Sequence, residues 1–274
     1  MTIHRQGPAS EAWFYNLKHI LSDGKPSSPR GKATIEILQQ TVIVNMRRPV
    51  VVIPERKLNY QFMAAEAYWI LSGDDTVEGI APWNKNISKF SDDGIVFAGA
   101  YGPMIKNQIG YVTDKLIEDR DSRQAGLTIW RPNPNPSKDI PCTVSAFFSI
   151  RGDKLNVHIF MRSNDIWLGT PYDVFNFSML GHYVCARLNT HYKGNTSVSP
   201  GVLYHTAASL HLYQENIDAA LDLINAQQDR YGAEFETNET PEALFKDPFL
   251  LLAGLYNLRD TKPGDPLRWW EAKE

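Results

Sequence analysis

The clearest structural pattern in the chain is the sequence TVSAFFSIRGDKLNVHIFM at residues 143–161. Apolar and more polar side chains alternate along it, and the alternation is interrupted once, at Gly152 and Asp153. Two alternating runs joined by such a pair are typical of two strands and a tight turn. We therefore predict a β-hairpin whose ends bring Cys142 and Arg162 together across the sheet. A cysteine and an arginine so placed suit a nucleophile and an anion-binding group.

The residues outside the hairpin predict a chain that mixes helices and strands. Pro171 suits the first turn of a helix, where its missing N–H is harmless, and an apolar stripe continues from Val174 to Leu188. Ser10 is a plausible cap for the first helix. Further helices are predicted at 10–21, 58–71, 110–119 and 213–226, and strands at 34–44, 127–130 and 198–209.

Composition excludes several classes of protein. The chain has 28 Lys and Arg against 31 Asp and Glu, a net charge of -3, so nothing global favours nucleic-acid or membrane binding. Two cysteines in 274 residues do not form a disulfide framework. No secretion signal and no membrane span are recognised, so we expect a soluble cytoplasmic protein. No repeat or linker divides the chain, which predicts one domain over 1–274 with a divergent tail from about 237.

Three residues outside the hairpin are candidates with alternative interpretations. Glu66 lies in the apolar stripe of its predicted helix, so it is either a desolvated proton-transfer group or the partner of an internal arginine. Tyr101 stands among small residues that allow close approach of a ligand, although a lone tyrosine is usually a packing residue. Arg30 belongs to a basic loop that on sequence alone is better explained as a solvated turn than as an anion site.

Several separated motifs give the chain a family resemblance. Pro141-Cys142, the Arg-Ser-x-Asp run at 162–165, the Gly-x-Pro-Tyr-Asp run at 169–173 and His211-x-Tyr213 follow one another in order. Together they resemble the thymidylate synthase family, and within it the deoxycytidylate hydroxymethylase branch. The resemblance covers about residues 30–220. It implies an α/β (α+β) fold with a twisted mixed sheet flanked by helices, and a homodimer packed through that sheet.

The resemblance also implies roles for individual residues. Cys142 matches the nucleophile that adds to carbon 6 of a pyrimidine nucleotide, which activates carbon 5 for one-carbon transfer from methylenetetrahydrofolate. Arg162 would favour the thiolate and bind the substrate phosphate. Glu66 and Tyr101 match proton-transfer groups. The remaining implied positions are the phosphate-binding Arg30, Ser163 and the partner subunit's Arg123, the folate-side Trp83, Asp165 between base and folate, and the sugar contacts His211 and Tyr213. No metal is implied.

Asp173 departs from thymidylate synthases, which carry asparagine there. An asparagine amide suits uracil, whereas a carboxyl group that accepts from the amino group and shares a proton with the ring nitrogen suits cytosine. We therefore predict a cytidylate substrate, dCMP or CMP. The C-terminal sequence around Trp269 and Trp270 does not resemble the closing tail of thymidylate synthases, which favours capture by water and a hydroxymethyl product. Thr143 and Gln124 also differ, standing where histidine and a second arginine are usual.

Three alternatives remain open at this point. The nearest is a cytidylate methyltransferase, in which hydride from the folate replaces water. A thymidylate synthase acting on dUMP is less favoured because of Asp173. A nucleotide or RNA binder without turnover is disfavoured by the intact set of Cys142, Glu66, Tyr101 and Arg162 and by the negative net charge.

Overall fold

A computed structural model describes residues 7–192, 194–226 and 239–261. Its centre is a seven-stranded sheet with the strand order β1-β2-β7-β5-β4-β3, and β6 pairs with β7 outside this path. All the pairs are antiparallel except β5 with β7 and β6 with β7, which are parallel. The strands are β1 Lys25–Ser27, β2 Thr34–Asn45, β3 Gly126–Thr128, β4 Thr143–Arg151, β5 Lys154–Met161, β6 Asn164–Asp165 and β7 Ser199–Tyr213.

The predicted hairpin is confirmed as β4 and β5. Gly152 in its turn has φ 61°, a left-handed conformation that glycine adopts without steric cost. At the open end, the Arg162 backbone N–H donates to the Cys142 carbonyl at 2.8 Å. The two residues are therefore direct neighbours, as the sequence pattern predicts.

The parallel pairing of β5 with β7 requires a crossover, and the long helix α4 is part of it. The helices are α1 Ala9–Asp23, α2 Tyr60–Ser72, α3 Tyr101–Glu118, α4 Thr170–His191, α5 Ile217–Ala226 and α6 Pro248–Arg259. Phe175, Phe177 and Cys185 of α4 are fully or almost fully buried. A twisted mixed sheet flanked by helices confirms the predicted fold class. None of the helices in the described ranges is long and apolar enough to cross a membrane.

Two helix boundaries differ from the sequence predictions. The first helix begins at Ala9 after Pro8, so Ser10 is not its cap; the Ser10 hydroxyl is buried and accepts the Val52 N–H at 2.8 Å. The third helix begins at Tyr101, nine residues before the predicted start at Gly110. A Cβ on Gly102 would lie 2.7 Å from the Asp74 carbonyl oxygen, so the small residues here allow α3 to pack against the chain that follows α2.

Other boundaries lie close to the predictions. β7 extends four residues past the predicted Ser209 to Tyr213, so the following helix begins at Ile217 rather than Tyr213. Within the C-terminal region, the apolar run from Phe249 to Leu255 lies in α6, where the Asp247 carboxylate caps the first turn. Trp269 and Trp270 lie outside the described residues.

Candidate active site

Ten of the twelve residues proposed from sequence line one cleft of about 460 Å³. The cleft lies where the open end of the β4–β5 hairpin meets the start of α4 and the middle of α2. These ten residues are Arg30, Glu66, Tyr101, Cys142, Arg162, Ser163, Asp165, Asp173, His211 and Tyr213.

Cys142 lies at this cleft between arginines and a tyrosine. The Arg162 guanidinium is held by the backbone, donating to the carbonyls of Ile140 at 2.9 Å and Pro141 at 3.0 Å. Burial raises the pKa of the Cys142 thiol, while the charges of Arg162 and Arg30 lower it, and burial is the larger effect. Arg162 thus favours the thiolate in the direction predicted from sequence, but burial outweighs it and the pKa of the thiol in the free protein stays above its ordinary value.

Tyr101 is fixed beside the nucleophile. Its hydroxyl accepts the Thr143 backbone N–H at 3.3 Å, and its ring stacks on Phe177 with centroids 6.3 Å apart. Burial, reinforced by the neighbouring Asp173 and Cys142, raises the pKa of the Tyr101 phenol. The phenol therefore remains a neutral hydroxyl that can exchange a proton with a bound group or water.

Glu66 lies largely buried in α2, and no arginine of the described residues forms an ion pair with it. Its carboxylate accepts a hydrogen bond from Asn176 Nδ2 at 2.7 Å. Burial raises the pKa of Glu66 to about 7, and the Asn176 hydrogen bond opposes this rise. A carboxyl group that titrates near neutrality suits proton transfer. The ion-pair alternative left open by the sequence is not what the structure shows.

Asp173 is the second buried carboxyl group of the cleft. Burial, reinforced by the charge of Glu66, raises its pKa to about 8, and a hydrogen bond to its side chain opposes this rise. The donor is Asn164 Nδ2, which lies 2.5 Å from Asp173 Oδ2. The other end of that amide accepts the Thr170 hydroxyl. Asp173 is therefore a largely neutral acid whose environment is set by a buried amide.

Asp165, His211, Tyr213 and Arg30 line the remaining sides of the cleft. Asp165 accepts the backbone N–H groups of Trp167 at 2.8 Å and Leu168 at 3.0 Å, which shapes the turn before α4. The His211 and Tyr213 rings pack edge to face, with centroids 5.2 Å apart, at the end of β7. Arg30 occupies a left-handed position with φ 54° and lines the cleft, where the sequence alone had favoured a solvated turn.

Two proposed residues lie elsewhere. The Trp83 indole N–H donates to the Arg259 carbonyl at 2.8 Å, and the Arg259 guanidinium covers its ring, so Trp83 packs against the end of α6. Arg123 lines a separate polar surface depression with Asp121 and Arg151. Its proposed contribution to a partner's site is not represented in a single chain.

Several lining residues were not identified from sequence. Asn164 occupies the unassigned position of the Arg-Ser-x-Asp motif. Asn176 follows Asp173 by one helical turn, and that spacing, which places both on one face of α4, could have identified it. The outer part of the cleft is apolar, with Ile87 and the exposed Phe90 and Leu168. No group of His, Cys, Asp and Glu suited to a metal occurs in the described part of the chain.

Comparison with known proteins identifies the family of the chain. The thymidylate synthase family model matches residues 11–247, and the chain belongs to that family. A deoxyuridylate hydroxymethyltransferase of Bacillus phage SP01 is 30% identical over 248 residues, which are 82% of this chain and 62% of the relative. Its namesake in Pseudomonas phage M6 is 30% identical over 240 residues, 84% of this chain and 63% of the relative. The chain thus spans less than two thirds of the length of these relatives.

Proposed function

We propose that the protein transfers a one-carbon unit from methylenetetrahydrofolate to carbon 5 of a cytidylate and that water completes a 5-hydroxymethyl product. The observation that carries the proposal is the convergence of Cys142, Tyr101, Glu66, Asp173 and Arg162 on one cleft. The family and the two hydroxymethyltransferase relatives support the reaction class.

Cys142 initiates the reaction by adding to carbon 6 of the base. This addition makes carbon 5 electron-rich, because the ring gains enamine character. The Arg162 and Arg30 charges lower the pKa of the thiol against the opposing effect of burial, so they supply the stabilisation that the thiolate needs. The same guanidinium groups suit the phosphate of a nucleoside monophosphate.

Tyr101 and Glu66 are the groups that we propose for the proton transfers of the reaction. Carbon 5 must lose its proton after the new carbon–carbon bond forms, and a water held by the neutral Tyr101 hydroxyl beside Cys142 would receive that proton. Glu66, with a pKa of about 7, can exchange protons with water in the cleft. Departure of tetrahydrofolate from the transferred carbon would leave an exocyclic methylene group on the ring. Water would add its oxygen to that carbon and give up one proton to the cleft, and loss of the Cys142 thiolate from carbon 6 would restore the aromatic ring.

The outer part of the cleft presents apolar side chains that suit the binding of a folate. Methylenetetrahydrofolate would supply the one-carbon unit at the oxidation level of formaldehyde. Phe90 is 57% exposed and Leu168 is 52% exposed at this opening, an unusual position for large apolar side chains. With Ile87, they offer a surface on which a flat ring system can pack. We assign the folate to this surface, and a role for Trp83 beside it remains a prediction.

Asp173 supports cytosine as the base. A neutral carboxyl group offers one donor and one acceptor, the pattern that complements the ring nitrogen and amino group of cytosine. The same group turned around complements uracil, and the names of the two relatives favour dUMP as the second candidate substrate. A cytidylate methyltransferase is a third candidate, distinguished by its methyl product and by formation of dihydrofolate.

The experiment is incubation of dCMP, CMP and dUMP separately with the protein and methylenetetrahydrofolate in H₂¹⁸O, followed by mass spectrometry. We expect addition of CH₂O to a cytidylate, with the new oxygen derived from the solvent. Cys142→Ala should abolish the product, and Cys185→Ala is the matched control because that thiol is buried in α4 away from the cleft. Greater turnover of dUMP than of either cytidylate would overturn the base assignment, and no product from any nucleotide would overturn the function.

We extend the proposal to the assembly and its location. A homodimer packed through the sheet is supported by exposed Phe147 and Phe160 on β4 and β5 and Leu38 on β2, since large apolar side chains on a sheet suit an interface. In such a dimer the partner subunit's Arg123 would complete the phosphate site. Free Cys142 and Cys185 fit the expected cytoplasmic location.

A further inference from the structure

Asp173 can distinguish cytosine from uracil only if its proton stays on one particular carboxyl oxygen. A neutral carboxyl group presents a hydroxyl donor on one side and a carbonyl acceptor on the other. With the proton on one oxygen, the carboxyl group complements the hydrogen-bonding edge of one base. With the proton on the other oxygen, it complements the edge of the other base. The choice between cytosine and uracil therefore depends on what fixes the proton, as well as on the presence of an aspartate.

Asn164 and Thr170 form a buried hydrogen-bond network that can fix the position of this proton. Asn164 Nδ2 donates to Asp173 Oδ2 at 2.5 Å, so Oδ2 acts as an acceptor and any proton on the carboxyl group belongs on Oδ1. Asn164 is only 3% exposed and Thr170 is fully buried, so water does not compete for these hydrogen bonds.

Thr170 determines which end of the amide faces Asp173. Its hydroxyl donates to Asn164 Oδ1 and has the Asp165 carbonyl oxygen as a second acceptor at 3.1 Å. If the amide reversed, Asn164 Oδ1 would face Asp173 Oδ2, and two acceptors at that separation repel unless the carboxyl proton moves to Oδ2. The orientation of Asn164 and the position of the Asp173 proton are thus coupled.

We propose that Asn164, oriented by Thr170, is a specificity-determining residue that selects which oxygen of Asp173 donates to the base and thereby which pyrimidine is accepted. Neither residue needs to touch the reacting carbon. This inference rests on the proposed function, because it concerns the base preference of that reaction.

Substitution of Thr170 tests the proposal directly, because this residue lies in the same helical turn as Asp173. It is the first residue of α4, followed by Pro171, and Asp173 lies three residues later in the same first turn. Thr170→Val keeps the branched shape and removes the hydroxyl, whereas Thr170→Ser keeps the hydroxyl and loses a methyl group. The two variants therefore separate the hydrogen bond from the packing.

The test is the ratio of kcat/KM for dCMP to kcat/KM for dUMP in wild type, Thr170→Val and Thr170→Ser. One buried hydrogen bond to a polar or charged group corresponds to about a tenfold preference or more. We expect Thr170→Val to reduce the discrimination about tenfold and Thr170→Ser to retain the wild-type ratio. Asn164→Leu, which removes the amide, should reduce the ratio at least as far.

A purely structural role gives a different result. If Thr170→Val lowers turnover of both nucleotides equally and leaves their ratio unchanged, the inference is overturned while the proposed function stands. Circular dichroism and thermal unfolding identify any variant that fails to fold. If Thr170→Val does not fold, the ratio is measured in Asn164→Asp instead, which removes the donor to Asp173, with Thr170→Ser as its control. An unchanged ratio in Asn164→Asp likewise overturns the inference. Absence of product from wild type with either nucleotide identifies failure of the proposed function instead.

Discussion

Replacement of Asp173 by asparagine should stabilise the folded protein at neutral pH, even though it changes the recognition of the base. The pKa of this carboxyl group rises from its ordinary 3.8 to about 8 in the folded chain. Below pH 3.8 both the folded and the unfolded chains carry the proton, and the group has no effect on stability. As the pH rises above 3.8 the unfolded chain releases the proton and the folded chain keeps it, so the free energy of unfolding falls until the pH exceeds about 8.

The size of the effect follows from the pKa difference. One pKa unit corresponds to about 1.4 kcal/mol, so a rise of about four units costs the folded state at most about 6 kcal/mol above pH 8. Rearrangement around a newly formed charge keeps the measured cost below this bound. We expect Asp173→Asn to gain at least about 2 kcal/mol at pH 7.5, because the amide has no charge to bury and still accepts from Asn164.

The assay is urea unfolding of wild type and Asp173→Asn from pH 5 to 8. The difference between the two proteins reports on Asp173 together with the neighbouring groups whose charges interact with it, chiefly Glu66, because the more distant titrating residues contribute equally to both curves. The difference should already favour the variant at pH 5, because the loss of stability begins near pH 3.8, and it should grow by about 1 kcal/mol per pH unit up to pH 8. A flat difference across this range would show that Asp173 ionises normally in the folded protein and would refute the reasoning.

Three further outcomes are expected. Cys142→Ala should reduce release of the carbon 5 hydrogen from labelled dCMP by about 10⁴-fold or more, with nucleotide binding retained by calorimetry; comparable release would exclude the thiol as nucleophile. Asn176→Ala should move the pH dependence attributed to Glu66 to higher pH in kcat profiles, because the hydrogen bond that lowers the pKa of Glu66 is lost, and an unmoved profile would contradict that role. Arg162→Lys should raise KM for the nucleotide about tenfold or more while preserving charge, because lysine cannot reproduce a guanidinium held by the Ile140 and Pro141 carbonyls, and an unchanged KM would contradict phosphate binding there.

The parts of the fold that the sequence predicted best are those with local periodicity. The hairpin and the Pro171 helix are set by alternation, by a turn glycine and by a stripe of apolar residues, all visible over short stretches. The start of α3 was missed because Gly102 and Pro103 look like loop residues. Their use becomes visible only where the chain after α2 passes close to α3. The single-domain interpretation stays a prediction.

The site was predicted through its motifs, and its electrostatics were not. The identity of Cys142 and Arg162 indicates chemistry, yet whether burial or the neighbouring cation dominates the pKa of the thiol depends on three-dimensional packing. Asn164 was overlooked for a related reason, since its function arises from its contacts with Asp173 and Thr170. Trp83 is a further position that the sequence does not place in space, because its packing against Arg259 at the end of α6 depends on contacts distant in the chain, and its predicted role beside the folate stays a prediction.

The proposed reaction requires particular protonation states of Cys142 and Asp173 at the same time. Addition to the base needs the Cys142 thiolate, whose pKa is raised by burial and by the charge of Asp173. The proposed recognition of the base needs Asp173 as a neutral acid, a state that holds only below its pKa of about 8. A neutral Asp173 also withdraws the negative charge that disfavours the thiolate, so the two requirements support each other. Activity should therefore depend on a state in which the thiol has lost its proton while the acid keeps its own, and the two arginines are the groups that make this state accessible at neutral pH.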